Sequence, residues 1–297
     1  MNTRENKIFQ VVCHIIMILL CFFVLAPFLL LIIASFTDEQ AILQNGYSYF
    51  PKQFSLTAYR YLLDQRDYIF NAIKVSFIVT LAGTFIGMCI TTMLSYTLSR
   101  RDFPLRAILS FIVFFTMLFN GGLVPTYLVY TNVLHVKNTF VGLIMPGLLM
   151  NGFFVILVRT FFATSIPEAL IESARIDGAG EFLTFFRIVL PLSLPILATI
   201  GLMMGVNYWN DWLNGLYYIT DPSLFSLQNL LNRMLQDVQF LQTNSNLGAN
   251  AAEALSKIPT TTVRMAMAVV GAVPIMVAYP FFQKYFVKGI TIGAVKG

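Results

Sequence analysis

Six stretches of this chain are apolar for longer than a bilayer is thick, and that limits the fold before anything else does. They run over about residues 8–35, 71–98, 105–130, 139–162, 188–212 and 263–287, each beyond the ~20 residues that a helix needs to cross hydrocarbon. Backbone amides and carbonyls find no water there, so a spanning segment must be a helix or part of a closed barrel. The runs lack the alternation of barrel strands and therefore read as helices. Hydrophobic residues fill 57% of the 297 positions and charged ones only 11%, against about a quarter charged in soluble domains. The expected fold is an all-α membrane protein, a single domain over 1–297 with six transmembrane helices. The first run outlasts the roughly 7–15 apolar residues of a secretory signal, and no A-x-A site follows it, so it reads as a retained helix.

The few charges orient the spans. Arg4 and Lys7 precede the first; Arg100, Arg101 and Arg106 join the second to the third; Arg159, Arg175 and Arg187 flank or occupy the fourth-to-fifth connection; Lys284, Lys288 and Lys296 follow the sixth. The opposite connections are poorer in basic residues near the spans and mixed with Asp and Glu. By the positive-inside rule both termini face the cytoplasm. The net charge of +5 is spread over span ends rather than gathered on one face, so no nucleic-acid partner is expected; membrane lipid is. Cys13, Cys21 and Cys89 each sit inside an apolar run, with no CxxC and only His14 and His135 for imidazole chemistry. No disulfide framework or metal site is read from them.

Between the fourth and fifth spans lies a charged, amphipathic segment, about residues 167–186. Pro167 can open a helix, where a missing amide costs nothing. Glu168 and Glu172 share a face near its start, where negative charge suits the helix dipole. Ala169, Ala174 and Ile176 give a small or apolar side, and Gly178 can take a left-handed cap. Ala179, Gly180, Phe182, Phe185 and Phe186 lead back to the membrane. The order Glu172–Ser173–Ala174, then Gly178 after Arg175–Ile176–Asp177, then Ile188–Val189–Leu190–Pro191 nine residues on, resembles the EAA loop of permease subunits of ATP-binding-cassette importers. That loop is usually written E-A-A-x-x-x-G-x9-I-x-L-P; Ser173 stands where Ala is usual, and every other fixed position fits. The resemblance implies a cytoplasmic coupling helix that docks on an ATPase dimer through Glu168, Glu172, Ser173, Ala174, Asp177, Gly178 and Pro191. ATP and Mg would be bound by that partner. No G-x-x-x-x-G-K-[ST] stretch occurs in this chain, so it is expected to be non-catalytic and to hold no cofactor.

Polar residues inside the spans are costly and mark interfaces or paths. Asn120 falls near the middle of the third span, Asn151 near the middle of the fourth, and Asn207, Trp209, Asn210 and Trp212 towards the outer end of the fifth. Amides exchange hydrogen bonds with sugar hydroxyls, and indole rings stack on sugar C–H faces. The same residues also serve close helix packing and interfacial belts. In the long segment 213–262, Leu224, Leu227, Leu230, Leu231, Met234 and Leu235 recur at helical spacing. They predict an amphipathic helix over 224–241, followed by a flexible Asn-rich tip over 243–252.

The C-terminal run Gln283–Lys284–Tyr285–Phe286–Val287–Lys288–Gly289–Ile290–Thr291–Ile292–Gly293–Ala294–Val295–Lys296–Gly297 resembles the ending of carbohydrate importer permeases. Together with Trp209–Asn210–Asp211–Trp212, it extends the resemblance over the whole chain, towards the smaller maltose-importer permease and Gram-positive oligosaccharide permeases. It implies four partners: a second six-span permease, the ATPase dimer, an extracellular sugar-binding lipoprotein and an oligosaccharide cargo. The location implied is the plasma membrane of a Gram-positive bacterium. A permease of the same family for a non-sugar solute is the alternative. A secondary transporter would need intramembrane charges for ion coupling, and a membrane hydrolase a polar catalytic cluster; neither is evident between the span ends.

Overall fold

A computed structural model of the chain describes residues 4–243 and 260–294. The Asn-rich tip expected over 243–252 lies outside them but for Thr243, as do Val295, Lys296 and Gly297 of the C-terminal run. Among the described residues the structure is helical, with no strand and a single isolated bridge, Thr37 to Phe54. Three helices are long and apolar enough to cross a bilayer: α1 (Arg4–Ser35), α4 (Arg66–Ser99) and α15 (Thr260–Ala294). All three outrun the apolar stretches that predict them, because good helix formers continue the hydrogen-bond ladder past the hydrophobic edge.

The other three runs are not continuous helices: the spans expected over 105–130, 139–162 and 188–212 are each interrupted. The third is α5 (Arg106–Leu118) and α6 (Leu123–Leu128), the latter running on in a wide π turn to Val133; the two parts are bent by 116°. Gly122 at φ +84, ψ 166 makes the turn, an essentially glycine-only conformation that costs an L side chain about 1–3 kcal/mol. In the fourth run, α7 (Phe140–Ile144) stops ahead of Pro146, and α8 (Gly152–Ser165) starts afresh after a non-helical stretch. In the fifth, α10 (Glu181–Thr184), a π turn over Phe185–Val189 and α11 (Leu190–Leu192) precede α12 (Leu194–Asn210). The bend there is 83°. Pro191 and Pro195 remove two successive ladder donors around Ser193, and the Ser193 hydroxyl donates to the Val189 carbonyl at 2.7 Å in compensation.

The described chain divides into two compact units. The first comprises residues 4–69, 231–243 and 260–274. There α2 (Glu39–Asn45) is capped by Asp38, whose side chain accepts from the Gln40 and Ala41 amides, and α3 (Thr57–Asp64) brings Tyr59 to Phe36, stacked at 4.7 Å. The Glu39 carboxylate accepts from the Thr261 and Thr262 amides, each at 2.8 Å, and so caps the first turn of α15. Burial alone would raise its pKa; the Thr262 and Thr261 hydrogen bonds outweigh that and hold it below the ordinary value.

The second unit comprises residues 70–230 and 275–294. Among the described residues its core includes a large apolar cluster built from Tyr96, Phe154, Val158, Phe162, Phe185, Ile200, Met204 and their neighbours. Here α4 and α12 approach closely: an added Cβ at Gly83 would lie 2.5–2.8 Å from the Tyr208 ring. After α13 (Leu213–Tyr218), the amphipathic helix α14 (Leu227–Thr243) begins at Leu227 rather than 224, because Pro222–Leu224 form a separate 3-10 turn. Its first amide donates to the Ser76 hydroxyl at 2.8 Å. Gly83→Val is expected to overpack the α4–α12 contact by about 1–3 kcal/mol. A lowered thermal unfolding temperature in detergent would record this; an unchanged one would mean that the two helices do not meet there.

Candidate functional site

The segment between the fourth and fifth runs folds as α9 (Glu168–Ile176), turned 76° away from α8. The turn follows from the sequence. Proline disfavours helical backbone in the residue before it, and Ile166 accordingly sits at φ −100, ψ 115 ahead of Pro167. At the far end Gly178 adopts φ +81. The Ala179 amide donates to the Ala174 carbonyl at 2.8 Å and the Gly178 amide to the Arg175 carbonyl at 3.0 Å. These two bonds are a Schellman cap, and glycine is the residue that fits its left-handed position.

Only one side of α9 faces the protein. Ala174 is buried and Ile171 packs against the large apolar cluster. Glu168, Glu172, Ser173, Asp177 and Gly178 are exposed, and Ile176 is 87% exposed. Nothing lies within 4 Å of a Cβ built at Gly178. Beyond the cap, Phe185 enters the core while Phe182 and Phe186 stay exposed. The helix and its cap therefore present three carboxylates, a hydroxyl, a large aliphatic side chain and an open glycine on a free face. Pro191 stands apart, exposed on α11.

Charged residues that composition did not single out hold this helix. Arg175 pairs with Asp102 and, at 2.9 Å, with Glu181; Arg100 reaches Asp102 at 3.3 Å and Glu181 at 3.9 Å. The Tyr96 hydroxyl donates to Glu181 Oε2 at 2.6 Å. The Arg175 hydrogen bond chiefly lowers the Asp102 pKa, and the Tyr96 bond followed by that from Arg175 lowers the Glu181 pKa. Both are depressed carboxylates, so their contribution is present above the unfolded values and fades as pH falls through the lowered ones. The sequence signal available was the presence of opposite charges at 100–102, 175 and 181; nothing in their spacing joins positions so far apart.

Asn120 and Asn151 sit at breaks rather than within regular helix, whereas Asn207, Trp209 and Asn210 lie in the last turns of α12 and Trp212 just beyond it. Asn120 lies in the exposed break between α5 and α6, where its Oδ1 accepts from the Gly122 amide at 2.9 Å. Asn151 is the N-cap of α8 and accepts from the Phe153 amide at 2.9 Å. The two share one end of the α5–α8 pair, since Gly152 faces Val113 and Met117. Asn207, Asn210 and Trp212 are exposed, whereas Trp209 is 5% exposed and meets Phe77 edge-on at 5.3 Å. Two residues that the sequence reading missed support the break before α8. The Asn214 amide donates to the Pro146 carbonyl at 2.9 Å, and the Tyr208 hydroxyl to the Ile144 carbonyl at 3.1 Å.

Residues 83–292 match the family model described as binding-protein-dependent transport system inner membrane component. The chain belongs to this family. It is 37% identical over 294 residues to the polygalacturonan/rhamnogalacturonan transport system permease protein YtcP of Bacillus subtilis, covering 99% of this chain and 100% of the relative. Protein LplC of the same organism is 36% identical over 297 residues, 100% of this chain and 97% of the relative. Among solved structures, a chain of a bacterial ABC transporter that imports the acidic polysaccharide alginate superposes with a TM-score of 0.79 at 26% identity, over 96% of this chain and 99% of that one. The protein is thus a membrane-integral permease component of an ATP-binding-cassette importer, and α9 with its Gly178 cap lies inside the matched region.

Replacing Gly178 by Ala forces an L side chain into the left-handed region at about 1–2 kcal/mol. Exchange of the Ala179 amide is expected to quicken by about tenfold, read by hydrogen–deuterium exchange. Unaltered protection would show that the cap does not hold the helix end.

Proposed function

We propose that this permease forms half of the translocation path for an oligosaccharide and carries ATP-driven motion to that path through α9. The observation that carries the reading is the free face of α9: a short helix turned out of the fourth run and stopped by a glycine cap, with Glu168, Glu172, Ser173, Asp177 and Gly178 uncovered. Such a face suits insertion into a cleft of an ATPase dimer, with the carboxylates as polar contacts and the glycine admitting close approach. Ala174 grips the core from behind, and Pro191 fixes the return to the membrane. ATP and Mg would be bound by the ATPase. When its two subunits close, the docked helices move together and the spans switch from inward to outward opening.

The continuous helices α1, α4 and α15 and the interrupted third, fourth and fifth runs, with α9 left outside the membrane, make six passes of one transmembrane domain over 1–297. The excess of Arg and Lys beside 100–106 and 159–187 supports cytoplasmic termini. A second six-span permease completes the path, and an extracellular sugar-binding lipoprotein delivers cargo to it. The names of the polygalacturonan/rhamnogalacturonan and alginate systems support an oligosaccharide cargo, and the Bacillus relatives support the plasma membrane of a Gram-positive bacterium. Non-helical backbone at membrane depth is tolerated where it lines a wet cavity or is covered by protein. The exposed break at Asn120–Gly122 is such backbone, which supports placing Asn120 and Asn151 on the path. Asn207, Asn210 and Trp212 extend it, with Trp209 shaping it from behind.

Two variants test the docking. Glu172→Lys reverses a charge on the free face, and Gly178→Asp fills the open glycine. Both are expected to abolish co-purification of the ATPase with the permease while the spans stay folded. Retention of the ATPase at wild-type levels in both would refute the coupling role of α9. The path is tested separately by placing Cys at 120, 151 and 207, one at a time, in a protein lacking Cys13, Cys21 and Cys89. A small water-soluble thiol reagent should label all three, less so with cargo present. If no site reacts in any nucleotide state, the amides serve helix packing and the partner permease holds the sugar.

A further inference from the structure

The docking reading leaves a mechanical problem. Helix α9 joins the spans through two non-helical joints, Ile166–Pro167 on one side and Gly178–Gly180 on the other. Its apolar grip on the core is confined to Ala174 and Ile171 among the residues facing inward. A helix hung in this way can tilt by itself, and motion imposed on its free face would be lost in the joints.

The charged residues close that gap. Arg175, in the last turn of α9, reaches two acceptors from different parts of the chain: Asp102, three residues beyond the end of α4, and Glu181, the first residue of α10. Arg100, with only 13% of its side chain exposed, contacts the same two carboxylates. Tyr96 fixes the second Glu181 oxygen from the last turn of α4 itself, and the Arg159 guanidinium of α8 donates to the Leu98 carbonyl at 3.2 Å. Both sides of each joint are therefore tied to one place, the end of α4.

We propose that Arg175, Asp102 and Glu181 are positioning residues that lock α9 to the end of α4, so that displacement of the docked helix moves the second span with it. The proposal rests on the docking reading for the source of the displacement. Tyr96 and Arg100 orient Glu181 and Asp102 within the clamp. Exposed ion pairs contribute little to stability, so the clamp fixes direction rather than holding the fold together. Its loss should leave thermal unfolding near the wild type and change only how α9 follows α4.

The test uses the permease assembled with its partner subunits and freed of native cysteines. Spin labels are attached at Arg101→Cys, beside α4, and Leu170→Cys, on α9 away from the docking residues. With the clamp intact, one narrow distance distribution is expected both without nucleotide and after vanadate trapping. Asp102→Ala and Arg175→Ala should each broaden it roughly twofold or more, and the double variant should add little, since members of one network are not additive. Asp102→Glu, which keeps the charge, should restore the narrow distribution. Unchanged widths in both single variants would overturn the clamp. Failure of the docking reading is distinguishable, because it shows as ATPase retained by Glu172→Lys and Gly178→Asp, whatever the spin-label distances do.

Discussion

The requirement that every backbone polar group at membrane depth find a partner governs this structure more than any side-chain preference. An unbroken helix without proline meets it automatically, as α4 does, while α1 and α15 each carry on through internal proline. Each departure from helix needs its own answer. Before α8, the free carbonyls of Ile144 and Pro146 are taken by Tyr208 and Asn214, and Asn151 satisfies the first turn that follows. At the fifth-run bend Ser193 takes the carbonyl of Val189. At the third-run break Asn120 and Thr126 bond the amide and carbonyl of Gly122. The polar residues at the breaks are thus explained as repairs to the backbone ladder.

The repairs differ in what surrounds them. Those at Ser193 and Asn214 are buried, which makes their bends fixed features of the packed core. The break at Asn120–Gly122 is exposed on the chain, so its remaining backbone groups need water or another subunit. One constraint, applied at buried and exposed positions, separates the bends that build the packed core from the one left open on the chain's surface. The same division holds at α9. Its inner side is an alanine and an isoleucine against the core, and its outer side is polar and free.

The sequence made the class, the six apolar runs and the coupling segment legible because each depends on local patterning. Proline at 167 and glycine at 178 act through neighbouring backbone, and both ends of α9 fall where those residues put them. The interruptions were less legible. Runs over 105–130 and 139–162 are apolar throughout, and hydropathy does not distinguish an apolar helix from an apolar helix with a repaired break. Pro146 and Gly122 were visible in the sequence, but prolines and glycines are tolerated inside membrane helices when neighbours supply partners. Deciding between a kink and a stop required knowing that Asn214 and Tyr208 lay opposite. The Arg175–Asp102–Glu181 cluster was hidden for the same reason: its members are 73 and 6 residues apart and meet only once α4 and α9 are in place.

These observations make α9 a more constrained object than its motif implies. In the docking proposed above, its free face transmits force only if the helix is attached. The residues that attach it lie mostly outside the motif, at the end of α4 and the start of α10. Arg175 occupies one of the positions that the motif leaves open, between Ala174 and Gly178, and points the opposite demand onto the same turn of helix: one side must stay free to dock while the other must stay tied. Arginine meets it because the guanidinium Nη2, with its two N–H donors, reaches both carboxylates at once from an exposed position, without covering the glycine that follows.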